Sequence, residues 1–202
     1  MAEDPENPES DVRRRLVESA AHLLGEEGPS ALSARRLAAE AGTSTMAVYT
    51  HFGGMPALVR AVVAEGFRRL HERVGAVPLT DEPVHDLHQA GVAYRAHALA
   101  NPHLYAVMFG SASLGDYRLH DDELAVGLEA FGQIVGFTRR AVDAGRLVAD
   151  DPAALAGQFW LALHGYVMAE LAGFQHVVDD PEHQILWPML THLLAAHLPP
   201  AP

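Results

Sequence analysis

The chain has 202 residues, 49% of them apolar, which suffices for a substantial core and excludes a natively disordered protein. It contains no cysteine, so disulfides, thiolate metal sites and cysteine nucleophiles are excluded. The net charge of −12 is unevenly spread: residues 1–10 carry −4, residues 11–76 carry nine arginines against seven acids, and residues 77–202 carry five arginines against fifteen acids. There is no lysine, so any charged contact to an anionic partner comes from arginine, and the one net-basic stretch is 11–76. No run of eighteen apolar residues occurs, and the acidic, proline-bearing opening is unlike a secretory leader, so the expected location is the cytoplasm.

In chain order, residues 1–10 read as a disordered acidic arm. A first helix is expected from about Asp11 to Leu24, with Val12, Leu16, Ala20 and Leu23 or Leu24 as its apolar stripe and the Gly25–Gly28 stretch as its stop. Ser33 suits the N-cap of a short second helix reaching about Ala41, and Gly42 suits the turn after it. A third helix is expected from Ser44 or Thr45 to Thr50, closed by Gly53-Gly54. Pro56 opens a long fourth helix ending near Ala76.

Beyond Pro78 and Pro83, five further helices are expected at about Val84–Ala100, Asn101–Gly110, Asp121–Ala144, Pro152–Gly173 and Pro181–His197. No alternating β-branched stretch competes, so the expected fold is all-α, with about nine helices. The expected organisation is the arm at 1–10, a three-helix DNA-binding domain at 11–54, a linking helix at 55–76, and an effector-binding and dimerisation bundle at 77–202.

The stretch Ser33 to Phe52 has the form of a helix-turn-helix, whose second helix can enter a major groove. Leu37, Ala38, Ala41, Ala47 and Val48 would hold the pair together. Ser44, Thr45, Met46, Tyr49, Thr50 and His51 would then point outward. Their hydroxyls and imidazole suit phosphates and base edges, and Met46 suits a thymine methyl.

Residues 12–66 resemble the N-terminal domain of the TetR family of repressors. The resemblance rests on Arg13-Arg14-Arg15-Leu16-Val17-Glu18-Ser19-Ala20-Ala21, on Leu24 and Gly28, on Ser33 with Leu37-Ala38 and Ala41-Gly42, on Tyr49, His51 and Phe52, and on Leu58-Val59. It implies phosphate contacts from Ser33, Tyr49 and His51, and base reading by Ser44, Thr45 and Met46. Many members have a lysine where this chain has Met55, so Arg13–Arg15 and Arg35 are the candidate replacements for that contact, and the salt dependence of DNA binding should be shallow.

In the C-terminal half, Phe159-Trp160 with His164-Gly165-Tyr166 and Glu170-Leu171 resembles the Trp-His-Gly subgroup of that family, as does the stretch Tyr94 to Phe109. The resemblance identifies a subgroup and not a ligand; apolar and aromatic side chains with a few polar groups suit an internal cavity, so the expected effector is small and largely apolar, with no cofactor. Candidate effector residues are Tyr94, His97, Tyr105, Met108, Phe109, Phe131, Trp160, His164 and Met168, each of which also suits plain core; Gly165 would permit close helix packing. A homodimer is implied through about 152–173 and 181–197. There Ala153, Ala154, Ala156, Phe159, Leu163, Tyr166 and Val167 could pair with Ile185, Leu186, Met189, Leu190, Leu193 and Leu194, within the chain or across two copies. The functional expectation is a ligand-released repressor on a pseudo-palindromic operator.

Two other classes compete. No Gly-x-Ser-x-Gly elbow, phosphate-binding loop or His-Glu-x-x-His motif supports an enzyme, and Gly110–Gly115 reads as an interhelical loop. Thirteen histidines prompt a metal-responsive alternative, with His85 and His88 or the group His176, Asp179, Asp180, Glu182 and His183 as ligands.

Overall fold

A computed structural model describes residues 8–109, 121–174 and 177–200. Among these there are nine α-helices and no strand: α1 (Pro8–Glu27), α2 (Ala34–Glu40), α3 (Thr45–Phe52), α4 (Met55–Gly75), α5 (Pro83–Ala100), α6 (Pro102–Phe109), α7 (Asp121–Asp143), α8 (Pro152–Leu171) and α9 (Trp187–Ala195). Residues 1–7 of the expected arm, the Gly110–Gly115 loop and His176 lie outside the described residues.

Two elements differ from expectation. Helix α1 begins at Pro8, inside the stretch read as an arm. A proline at a first helical turn needs no N–H donor, so Pro8 opens the helix where its composition suggested disorder. The last helix is not continuous. A π-helical turn, Glu182–Leu186, precedes α9, and the Trp187 N–H bonds back five residues to the Glu182 carbonyl. Pro188 accounts for this, because it has no N–H and its ring crowds the carbonyl four residues earlier.

The helices fall into two compact units, residues 1–69 with 101–127 and residues 70–100 with 128–202, and the division runs through α4. In the first unit α1 packs on α2, α3 and α6. Its buried stripe (Leu16, Val17, Ala20, Ala21, Leu23, Leu24) is wider than one partner needs, whereas Val12 is half-exposed. Helix α6 thus groups by contact with the N-terminal helices of the first unit. Gly66 on α4 receives it closely: a Cβ there would sit 2.4 Å from Met108 Sδ.

In the second unit α5 packs on α8, and α8 on α9. Leu155, Ala156, Phe159, Leu163 and Val167 supply the α8 side of this core, and Leu186, Leu190 and Leu194 the last segment's side. Most of the apolar residues considered for pairing two copies are thus consumed within one chain. Asp86, 1% exposed, pins three segments. Its carboxylate accepts from the Thr80 N–H at 2.8 Å, the Thr80 hydroxyl at 2.7 Å and Arg140 Nη1 at 2.7 Å, while Arg140 Nη2 donates to the Thr80 carbonyl at 2.8 Å.

The Arg140 and Thr80 bonds depress the Asp86 pKa from 3.8 to about 2. A carboxyl with a depressed folded-state value contributes stability that is present above its ordinary value and lost as the pH falls towards the folded one. Asp86→Asn should therefore lower the urea midpoint at neutral pH, with the gap to the parent narrowing from about pH 5 to about pH 3. Urea titrations across that range check this, and a constant gap would contradict it.

Candidate nucleic-acid interface and effector site

Helices α2 and α3 have seven and eight residues, too short to persist unaided, and their ends show what holds them. Ser33 Oγ accepts from the Arg36 N–H at 3.3 Å, and Ser44 Oγ from the Ala47 N–H at 3.2 Å. Between them the chain reverses through a Schellman turn: Thr43 N–H donates to Ala38 O at 2.8 Å and Gly42 N–H to Ala39 O at 3.3 Å. Gly42 has φ of 63°, a left-handed conformation that suits glycine. Leu37, Ala38, Ala41 and Val48 are buried at this junction, and Ala47 is half-buried.

With Val48 fully inside, the 3.6-residue period turns Thr45, Met46, Tyr49 and Thr50 outward. Met46 is 70% exposed and Tyr49 52%, so both side chains are open to a partner surface. Ser44 and Ser33 are exposed beside them, while His51 is half-buried in the last turn. The far end of α3 is tied to α1 by the Arg13 guanidinium, 5.4 Å from the centre of the Phe52 ring.

The other arginines divide. Arg14 and Arg15 pair with Asp11, and Arg36 pairs with Glu27, whereas Arg35 is exposed with no ion pair among the described residues. Of the expected replacements for the missing lysine, Arg35 alone is uncommitted.

The effector candidates separate between the units. In the first, Tyr105 and Met108 are buried and Phe109 is half-buried, with the Phe109 ring 4.8 Å from Tyr105 and 5.5 Å from Phe67. Met108 and Phe109 meet Gly66 and Phe67 of α4, and Tyr105 packs on Phe109.

In the second unit, Trp160 Nε1–H donates to the Tyr94 oxygen at 3.2 Å, and the Tyr94 hydroxyl lies 3.1 Å from His164 Nδ1. Trp160 stacks on His164 at 5.2 Å, and Phe131 meets Trp160 edge-on at 5.8 Å. Burial pushes the His164 imidazole below the ordinary histidine value, which favours the neutral ring; with Nδ1 unprotonated, that ring can accept a hydrogen bond from the Tyr94 hydroxyl. His97 is buried in the same unit.

Met168 departs from the expected enclosure. It is 38% exposed, on a stripe of α8 that also carries Leu161 (60% exposed) and Gly165. Among the described residues Gly165 meets nothing within 4 Å of an added Cβ, whereas Gly91, whose Cβ would lie 3.2 Å from Phe159 Cζ, permits the close packing of α5 on α8.

The sequence reading missed an ion cluster nearby. Arg95 donates to both Glu170 oxygens, at 2.7 and 2.6 Å, and pairs with Glu182 at 2.8 Å. It also missed an open groove of about 530 Å³ along the end of α4, the following segment and α5, lined in part by Arg73, Pro78, His85 and Gln89 and by none of the effector candidates. Among the described residues the expected metal ligands do not converge. His85 and His88 stack 6.5 Å apart, His183 pairs with Asp180, and no group of three or more suitable side chains forms among the described residues.

Comparison with known proteins agrees with this geometry. Residues 16–62 match the family described as bacterial regulatory proteins, tetR family, and residues 87–193 match the tetracyclin repressor-like C-terminal domain. Over 188 residues, 91% of this chain and 80% of the other, the sequence is 30% identical to Rv0681 of Mycobacterium tuberculosis, described as an uncharacterised HTH-type transcriptional regulator.

Among solved structures, a protein of unknown function from Rhodococcus sp. RHA1 superposes with a TM-score of 0.79 at 24% identity, covering 98% of this chain and 100% of that one. The TetR family regulator PfmR of Thermus thermophilus gives 0.70 at 18% identity, covering 90% and 97%. The chain is thus a helix-turn-helix transcriptional regulator and not an enzyme. It belongs to the TetR family, in which repression, effector binding and dimerisation are typical.

Because the space around Gly42 is open, Gly42→Ala should add backbone strain without a clash. We expect a loss of about 1–2 kcal/mol in urea unfolding. An unchanged or raised stability would show that the turn does not need its left-handed residue.

Proposed function

We propose that this regulator is a cytoplasmic repressor that binds a pseudo-palindromic operator as a homodimer and is released by a small, largely apolar effector. The observation that carries the reading is the outward face of α3, where Thr45, Met46, Tyr49 and Thr50 stand exposed on a helix whose opposite side is locked by Val48. In this reading Ser44, Thr45 and Met46 meet base edges, while Ser33, Tyr49, Thr50 and His51 meet phosphates, with Arg35 supplying the ionic contact. One free arginine on this surface favours a shallow salt dependence.

The effector is read by the Tyr94, Trp160 and His164 group, whose aromatic faces offer apolar contact and whose hydrogen bonds can be exchanged for one polar group of a ligand. The second copy is expected on the outer stripe of α8, where Leu161, Gly165 and Met168 permit close helix approach. Effector binding favours a dimer state whose two recognition helices no longer match half-sites about 34–36 Å apart. Linkage requires that operator weaken effector binding by the same factor.

The test uses duplexes selected from random DNA by the full chain. Tyr49→Phe and His51→Ala should weaken all selected duplexes alike, whereas Thr45→Ala and Met46→Ala should change discrimination at particular base pairs by about 1–3 kcal/mol. Fluorescence anisotropy at fixed salt measures both. Unaltered base preference in the Thr45 and Met46 variants would remove α3 from the role of reader.

A further inference from the structure

In the first unit, α1, α2 and α6 bring four titratable side chains together. The rings of His22 and His103 meet edge to face, 4.9 Å between centres, and His22 Nδ1 lies 3.4 Å from His103 Nε2. Each outer nitrogen faces a carboxylate: His22 Nε2 is 3.8 Å from Glu40 Oε1, and His103 Nδ1 is 3.4 Å from Glu26 Oε1. Glycine makes the approach possible, since a Cβ on Gly25 would stand 3.0 Å from His103 Cα and Cβ and 3.1 Å from Nδ1.

A carboxylate near the outer nitrogen of an imidazole favours the tautomer with the ring proton on that side, which leaves the lone pair on the inner nitrogen. In one tautomer the inner nitrogens share a hydrogen bond across the 3.4 Å gap; with both protons on the outer nitrogens two lone pairs face each other there, and a cation between them takes the place of the shared proton. Two nitrogens bound tetrahedrally at 2.0–2.1 Å from one ion lie about 3.3 Å apart, close to the gap seen here.

We propose that His22 and His103 form a two-imidazole clip for a divalent transition-metal ion, zinc in the first instance, with Glu40 and Glu26 orienting the rings from behind. Water completes the coordination, because His22 is 51% exposed and His103 35%. Such a clip needs no three-residue cage, and it joins α6 to the first helix of the DNA-binding domain. It does not depend on the DNA-binding or effector assignments.

Zinc titration of the full chain by calorimetry tests it, comparing the parent with His22→Ala, His103→Ala and a His85→Ala/His88→Ala control. Circular dichroism verifies folding, and the corresponding Gln variants replace any Ala variant that unfolds. One saturable site per chain is expected, at least about tenfold weaker in the His22 and His103 variants and retained in the control. Absence of saturable binding in the parent, or parental affinity in the His22 and His103 variants, would overturn the proposal.

Discussion

Helices of seven and eight residues cannot sustain themselves in water, because each fixes several backbone dihedrals for few hydrogen bonds. Everything that α3 can present to a partner therefore depends on the junction that holds α2 and α3: two serine caps, a left-handed glycine between them, and the burial of Leu37, Ala41 and Val48. One N–H at the start of each helix is capped by a serine, and the outer side chains Thr45, Met46, Tyr49 and Thr50 take no part in the junction. Exposure of Met46 and Tyr49 is the result, and it is what leaves this face available for recognition.

The second unit is held by a different balance. Asp86 is almost wholly removed from water yet keeps its charge, because four bonds tie it, Thr80 and Arg140 together. Arg95 is treated similarly between Glu170 and Glu182. Partly buried ions of this kind add little net stability over apolar replacements, but they lose much when one partner is removed. They fix α5 against α7, α8 and the π-helical turn, and so hold Tyr94, Trp160 and His164 in register.

Local signals in the sequence sufficed for most of this. Ser33, Gly42, Ser44 and Gly53 act within four residues of themselves, so the helix-turn-helix form was legible from spacing, and so was its outer face except at His51, which is half-buried. Helix ends marked by Pro83, Pro102, Asp151 and Pro152 were legible for the same reason. What escaped were pairings across distance. Nothing in the spacing of Asp86 and Arg140, or of His22 and His103, brings them together, and only packing does.

The grouping of α6 with α1 was hidden likewise, because Gly25 and Gly66 reveal their role only when a neighbour is seen against them. Two expectations passed over a local signal: the arm at 1–10 contains Pro8, which can open a helix, and the continuous helix at 181–197 runs through Pro188, where a proline requires the preceding turn to widen. The aromatic residues of the C-terminal half looked equivalent in sequence, and packing divides them into the core around Phe67 and the hydrogen-bonded group around Tyr94.

Hydroxyl-radical footprinting of the full chain, with and without a duplex it has selected, examines the outer face of α3 most directly, because methionine and tyrosine both report solvent access. The account predicts that Met46 and Tyr49 lose reactivity on binding DNA while exposed Phe174, on the other unit, keeps it. Unchanged oxidation of Met46 and Tyr49 in the saturated complex would contradict it.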